Sequence, residues 1–247
     1  MHSFWNPSEQ NIYDLIQKSA KKSCVLDPLL ITKLVNASLT TAYFPTEWKQ
    51  AIANPLLKKG ANDVIHKNLW PVSNLQFVSK ITERAVFDQV YSYMTENDLF
   101  PVLQSPYRKG HSTEKPLLGV VNDILSNMKK QHMSILVLLD LTVAFDTVDH
   151  AILLGRLETL FGIKDTTLAW FASYLSGRSQ CVSVNGERSD CYPLPFGVPQ
   201  GSCLGPLLFS ACASKLFEVI KLYLPNAHAF ADDTQLYLSF NPDNSLG

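Results

Sequence analysis

Apolar positions along the chain alternate between the spacing of helices and that of strands. Ile12, Leu15 and Ile16 predict a short helix over 12–21, and a second is predicted over 29–39, with Asp27 as N-cap and Pro28 at the first helical position. The apolar run 51–57 reads as a strand with a basic end at Lys58-Lys59-Gly60. Residues 68–74, Asn-Leu-Trp-Pro-Val-Ser-Asn, read as a turn-rich lead into a helix over 75–93, whose apolar face is Phe77, Ile81, Val86, Val90 and Tyr93. Another helix runs through Leu117, Val120, Val121, Ile124 and Leu125, capped by Ser112 or Thr113. The unbroken run 135–139 predicts a strand covered on both faces, with Asp140 where it ends. Helices follow through Ile152, Leu153, Leu157 and Leu160 and over 166–175. The alternation of 180–184 before Asn185-Gly186 predicts a hairpin arm, and an apolar helix is expected to run to about residue 222. Short strands over 229–231 and 236–240 enclose Asp232-Asp233 at a tight turn.

Composition narrows the class. The 247 residues suffice for one large domain or two sub-domains, and 46% hydrophobic with 17% charged residues describes a folded globular chain. A net charge of −1 gives no overall basic footprint for nucleic acid. The pairs Lys21-Lys22, Lys58-Lys59, Arg108-Lys109 and Lys129-Lys130 are scattered, and each alone reads as a solvated helix end or loop. The five cysteines contain no Cys-x-x-Cys pair, which disfavours a zinc knuckle; with no secretory leader read, they are expected to be reduced thiols of an intracellular protein. No apolar run approaches the ~18 residues of a membrane span, so no membrane partner is expected.

Candidate chemistry centres on acidic residues. Asp232 and Asp233 at a hairpin tip are, taken alone, ordinary turn residues, but joined by a carboxylate from another strand they can share divalent cations. Asp140 is the candidate third carboxylate, against the plain reading of a turn former. Asp146 and Asp149 are read as capping and first-turn acids of the next helix and left out, and Phe145 alone would be core. The Pro-, Gly- and Ser-rich stretch 197–206 lets backbone approach a ligand closely, with Gln200 as a candidate hydrogen-bonding side chain; without a suitably placed Lys it is not a Gly-x-x-x-x-Gly-Lys phosphate loop. Arg108 and Lys109 sit in a polar loop that could meet phosphates, although taken alone a plain surface loop is the better reading.

In order along the chain, Asp140 with its flanking run, Pro199-Gln200-Gly201 and Phe230-Ala231-Asp232-Asp233 resemble the palm motifs of reverse transcriptases, specifically those of non-LTR (LINE-type) retrotransposons. Further stretches within 22–28, 48–59, 71–84, 104–114, 170–180 and 197–209 are similar to the same family, so the resemblance covers roughly residues 20–240. It implies an α+β fold of right-hand polymerase type, with fingers and a palm whose antiparallel sheet packs on helices. The expected divisions are an N-terminal helical extension over 1–45, fingers over 46–134 and an incomplete palm over 135–247. It implies an RNA-directed DNA polymerase that adds deoxynucleotides to a primer 3′-hydroxyl, with an RNA template, a DNA primer and dNTPs as partners. Asp140, Asp232 and Asp233 would be catalytic and hold two Mg²⁺ ions, or Mn²⁺, with the Leu141 carbonyl as a further ligand. Phe145 falls at the position that excludes a 2′-hydroxyl, Gln200 and Gly201 match the loop against nucleotide and template, and Arg108 matches a fingers arginine near phosphate. Cytoplasm and nucleus are the compartments the resemblance implies.

The chain departs from the pattern in places. Trp70 stands before Pro71-Val72-Ser73 where the family has Arg, which removes a phosphate-binding fork; Pro106 replaces a usual Gly and Val143 a usual Ala. The sequence is expected to be a truncated copy without thumb or endonuclease, those parts belonging to a longer parent polyprotein, and its activity is expected to be weak or absent. A rival reading is a non-catalytic nucleic-acid-binding remnant or host-adopted domain. A palm-fold nucleotidyl cyclase leaves the fingers-like segments and the Pro-Gln-Gly loop unexplained.

Overall fold

The computed structural model describes residues 1–19, 27–57, 63, 68–100, 114–140, 144–223, 226–230 and 233–241. In chain order these form α1 (Glu9–Lys18), α2 (Pro28–Thr41), a 3-10 turn (Thr46–Trp48), β1 (Gln50–Leu57), β2 (Leu69–Asn74) and α3 (Phe77–Glu96). Then come α4 (Glu114–Lys129), β3 (Met133–Asp140), α5 (His150–Thr159), α6 (Asp165–Leu175), β4 (Arg178–Val184), β5 (Glu187–Arg188) and β6 (Tyr192–Leu194). The last elements are α7 (Gly205–Tyr223), β7 (Asn226–Phe230) and β8 (Asp233–Phe240), so the fold mixes helix and sheet.

The chain divides into two compact units, one of residues Met1–Leu99 and Phe145–Leu208, the other of Phe100–Ala144 and Phe209–Gly247. In the first, helices α1, α2, α3, α5 and α6 pack on one another, and a five-stranded sheet runs β2-β1-β4-β5 with β6 also on β4. Its core is aromatic. Phe44 meets Trp170 edge-on at 5.5 Å and Tyr174 at 5.1 Å, Trp170 stacks on Tyr174, and the indole Nε1 donates to Ser38 Oγ at 3.0 Å. Each such ring pair adds about 0.5–1.5 kcal/mol to what burial contributes.

Caps set the helix starts. Asp27 accepts from Leu29 N at 2.9 Å ahead of Pro28, as expected, whereas α1 begins three residues before its predicted start because Ser8 and Asn11 form a reciprocal capping box. Residues 69–74, expected to be a turn, form a strand antiparallel to β1. Its one proline, Pro71, reads as a turn residue when taken from sequence alone. Pro55 and Pro71 oppose each other in the register, and β2 lies at the sheet edge, where a missing N–H is tolerated. The predicted hairpin after β4 is present, with Asn185 and Gly186 both at positive φ, as a two-residue turn of this kind requires.

Two expectations fail. Cys181 and Cys191, expected to be reduced thiols, are joined in a disulfide, because the return of the chain from β4 towards β6 brings their Cα atoms to 4.3 Å. In the second unit β3 is a strand, but not one covered on both faces. It is the outer strand of the antiparallel sheet β3-β8-β7, and Ile135 to Leu139 are 41–68% exposed. An unbroken apolar run identifies the strand and says nothing of what covers it. Helix α4 packs on all three strands, and the buried Tyr237 hydroxyl of β8 donates to Asp123 of α4. Among the described residues no helix is long and apolar enough to cross a membrane.

Candidate functional site

The residues singled out in the sequence fall in both units. In the second, β3 ends on Asp140 and β8 begins on Asp233, and the two are opposed Cα to Cα as the terminal pair of the register that starts at Met133 and Phe240. Phe230, the last residue of β7, pairs with the same Asp233. Opposed residues of an antiparallel pair have Cα atoms about 4.5–5.5 Å apart. Asp232, Leu141 and Arg108 lie outside the described residues, and among those described no three His, Cys, Asp or Glu side chains cluster as a metal site. The donor chemistry of the Asp140 and Asp233 pair nevertheless fits Mg²⁺, which takes hard carboxylate oxygens, and like charges directly opposed across a ladder are unfavourable unless something neutralises them.

In the first unit the loop 196–201 is clamped to the segment 145–150. Gly197 N donates to Val148 O and Val198 N to Phe145 O, both at 2.8 Å, and His150 Nε2 donates to Gly197 O at 2.7 Å. The approach is so close that a Cβ on Gly197 would stand 2.9 Å from Asp146 Cα, Asp146 O and Phe145 O, and φ of +86° already favours glycine there. Gly201, at φ +96°, passes within 3.0 Å of Ser73 O in the same sense, while Ser73 N donates to Gln200 O at 3.2 Å. Phe145, Gln200 and Gly201 therefore belong to one constellation, and Phe145 is half-buried within it.

Asp146, set aside in the sequence as a helix-start acid, has another part. Asp149 is the N-cap of α5, accepting from Ile152 N at 2.9 Å, whereas Asp146 accepts from Gln200 Nε2 with both carboxylate oxygens at 3.0 Å. The carboxylate thus orients the Gln200 amide. Its place beside Phe145 was the one available sign.

Beneath the loop lies a cavity of 140 Å³ lined by Ser73, Asp146, Arg178, Gln180, Leu194, Phe196 and residues 197–200. Arg178, in its lining, acts electrostatically on two further buried groups, Glu83 and Lys49. Glu83, with no exposure, accepts from Cys203 N at 2.8 Å and Ser79 Oγ at 3.1 Å; burial raises its pKa above the usual carboxylate range, against the opposing pull of Arg178 and these hydrogen bonds. Lys49 is lowered, first by burial and then by the charge of Arg178. Neither Glu83 nor Arg178 was found from sequence. Glu83 lies four residues after buried Ser79 and three before buried Val86, so it sits on the inward stripe of α3, and that spacing was the missed signal.

Comparison with known proteins bears on the same residues. A family model described as reverse transcriptase (RNA-dependent DNA polymerase) matches residues 56–244. Similar proteins of Drosophila melanogaster include the probable RNA-directed DNA polymerase from transposon BS, 31% identical over 87% of this chain and 23% of its own length. The RNA-directed DNA polymerase from mobile element jockey is 33% identical over 74% of the chain and 20% of its length. The probable RNA-directed DNA polymerase from transposon X-element is 31% identical over 90% and 24%. The chain thus spans a quarter or less of these relatives. Among solved structures, apo telomerase from Candida tropicalis, truncated from its C-terminal domain, is similar with a TM-score of 0.51 over 77% of this chain and 44% of that one, at 12% identity, a likeness of fold alone.

Proposed function

The chain belongs to the reverse transcriptase (RNA-dependent DNA polymerase) family, in its non-LTR, LINE-type branch, and from that premise we propose that it carries the fingers and palm of a retrotransposon polymerase and extends a DNA primer on an RNA template. The observation that carries the reading is the opposition of Asp140 and Asp233 at the shared end of β3 and β8, since it brings acidic residues from two distant parts of the sequence to one place on one sheet. In the reaction the primer 3′-oxygen bonds to the α-phosphorus of a deoxynucleoside triphosphate while the bond to the β-phosphate breaks and pyrophosphate leaves. Two Mg²⁺ ions, when bound, supply charge neutralisation and a lowered pKa for the attacking hydroxyl.

Asp140, Asp232 and Asp233 hold that charge at the end of the sheet, with the Leu141 carbonyl as a further oxygen donor. Phe145 excludes a 2′-hydroxyl from the incoming sugar. The amide of Gln200, held by Asp146, and the side-chain-free backbone of Gly201 give a flat surface against which nucleotide and template rest. Arg108 meets phosphate. Template and primer are held through their backbones, as an enzyme that copies any sequence requires.

Single-nucleotide addition to a DNA primer on an RNA template in Mg²⁺ tests this without demanding processive synthesis. The full chain is expected to incorporate the complementary deoxynucleotide and Asp232→Asn to lose at least about 10²-fold in rate, the order of effect seen when a group that stabilises transition-state charge is removed. Binding of primer–template with no incorporation would instead establish the non-catalytic reading.

A further inference from the structure

We propose that the cavity under the 196–200 loop is a subsite for a phosphate group, with Arg178 as its principal donor and Gln180 beside it. The inference rests on the polymerase reading for the source of the phosphate, but not for the existence of the subsite.

Arg178 opens β4 and is 3% exposed. Its guanidinium lies 4.8 Å from the centroid of the Tyr174 ring, and Nη1 donates to Tyr174 O at 2.9 Å. Nη2, inaccessible to solvent, has no hydrogen-bond partner among the described residues. That is a costly arrangement. A buried cation loses several kcal/mol of hydration, by order of magnitude, and is ordinarily compensated by a carboxylate in direct contact. Glu83 is the nearby acid, yet its oxygens accept from Cys203 and Ser79, and among the described residues no ion pair includes Arg178. Lys49, 6% exposed, is a second buried cation, and the charge of Arg178 acts on it. Arg178 therefore keeps a donor without a partner among the described residues, in a side chain that lines the cavity.

The walls carry two side-chain donors and one carboxylate, Asp146, whose oxygens are both taken up by the Gln200 amide. Ser73 Oγ donates to Gln180 Oε1 at 3.3 Å, which leaves the Gln180 NH₂ as the group that side chain offers. Gln180 stands two residues after Arg178, so the two share one face of β4, and both line the cavity. A guanidinium with an amide NH₂ beside it matches the oxygens of a phosphate, whether that phosphate belongs to a nucleotide or to a nucleic-acid backbone.

The test needs neither metal nor turnover. The melting midpoint of the full chain, followed by tryptophan fluorescence in EDTA, is measured against millimolar inorganic phosphate at constant ionic strength with chloride as reference. A saturable rise is expected for the natural chain. Gln180→Glu supplies Arg178 with an internal carboxylate, so this variant is expected to keep its midpoint in chloride and bind phosphate at least about tenfold more weakly, the equivalent of one charge-assisted hydrogen bond. Arg178→Lys, which keeps the charge and loses the fork, should weaken binding as well; if it does not fold, Gln180→Glu still decides. Equal phosphate response in the natural chain and Gln180→Glu, or no saturable response at all, overturns the subsite. Displacement of phosphate by a deoxynucleoside triphosphate or by a duplex without terminal phosphates identifies the carrier, and failure of both overturns the link to polymerase substrates. Since Asp232→Asn is read out by incorporation alone, the two readings fail separately.

Discussion

Glu83 shows how a single residue can set a pH dependence from inside the core. Burial dominates its environment, so the folded chain holds the Glu83 proton at pH values where the unfolded chain, near the ordinary value of 4.5, has released it. Its contribution to stability is therefore complete below that unfolded value and is lost as pH rises through the raised folded value. Glu83→Gln keeps an acceptor for Cys203 N–H and never ionises, and the Ser79 hydroxyl can turn to accept from the new amide. In urea denaturation at a series of pH values from about 4 to 8, the stability of Glu83→Gln relative to the natural chain is expected to improve as pH rises above the unfolded value and to level off beyond the raised folded one. A difference that stays flat across that range would mean that the carboxylate ionises as easily inside as outside.

At the scale of elements the decisive feature is the docking of the 196–201 loop on the segment 145–150, and Gly197 is its narrowest point. Gly197→Ala adds a Cβ against three backbone atoms at 2.9 Å and a positive φ, whereas Gly186→Ala, at φ +90° with nothing within 4 Å, adds the unfavourable φ alone. The first is expected to cost about 1–3 kcal/mol, and more than the second, in guanidinium denaturation, with faster amide exchange at Gly197 and Val198. Equal costs would show that the clamp has no tight fit. Much of this level was legible in the sequence, because helices with capped starts, the Asn185-Gly186 hairpin and the strand ending on Asp140 depend on local patterns. The strand over 69–74 was not, since Pro71 argues for a turn until its edge position is known. The partnership of Gln200 with Asp146, the burial of Glu83 and Arg178 and the bond between Cys181 and Cys191 depend on which segments meet, and periodicity carries no information about that. The candidate acids were found as an ordered set, and the register of β3 on β8 adds what order alone could not, the opposition of Asp140 and Asp233.

For the whole molecule, the two compact units offer separate readouts of the two kinds of ligand. All four tryptophans, Trp5, Trp48, Trp70 and Trp170, belong to the first unit, while Asp140 and Asp233 belong to the second. Two acidic residues opposed at the last rung of the β3–β8 register are expected to weaken that rung by like-charge repulsion when no cation is bound. A cation that binds the folded ladder and not the unfolded chain stabilises it by RT ln(1 + [L]/Kd), about 2.7 kcal/mol at a hundredfold excess over Kd. Millimolar Mg²⁺ is therefore expected to slow hydrogen exchange in peptides from Met133–Asp140 and Asp233–Phe240 without a matching rise in the tryptophan-monitored midpoint, and phosphate in EDTA to do the reverse. Asp140→Asn should raise protection of the same peptides in EDTA, by removing one of two like charges, and abolish the further gain on adding Mg²⁺. If Mg²⁺ leaves exchange in β3 and β8 unchanged in the natural chain, the acidic pair is not a cation site, and the assignment of Asp140 and Asp233 to the reaction falls with it.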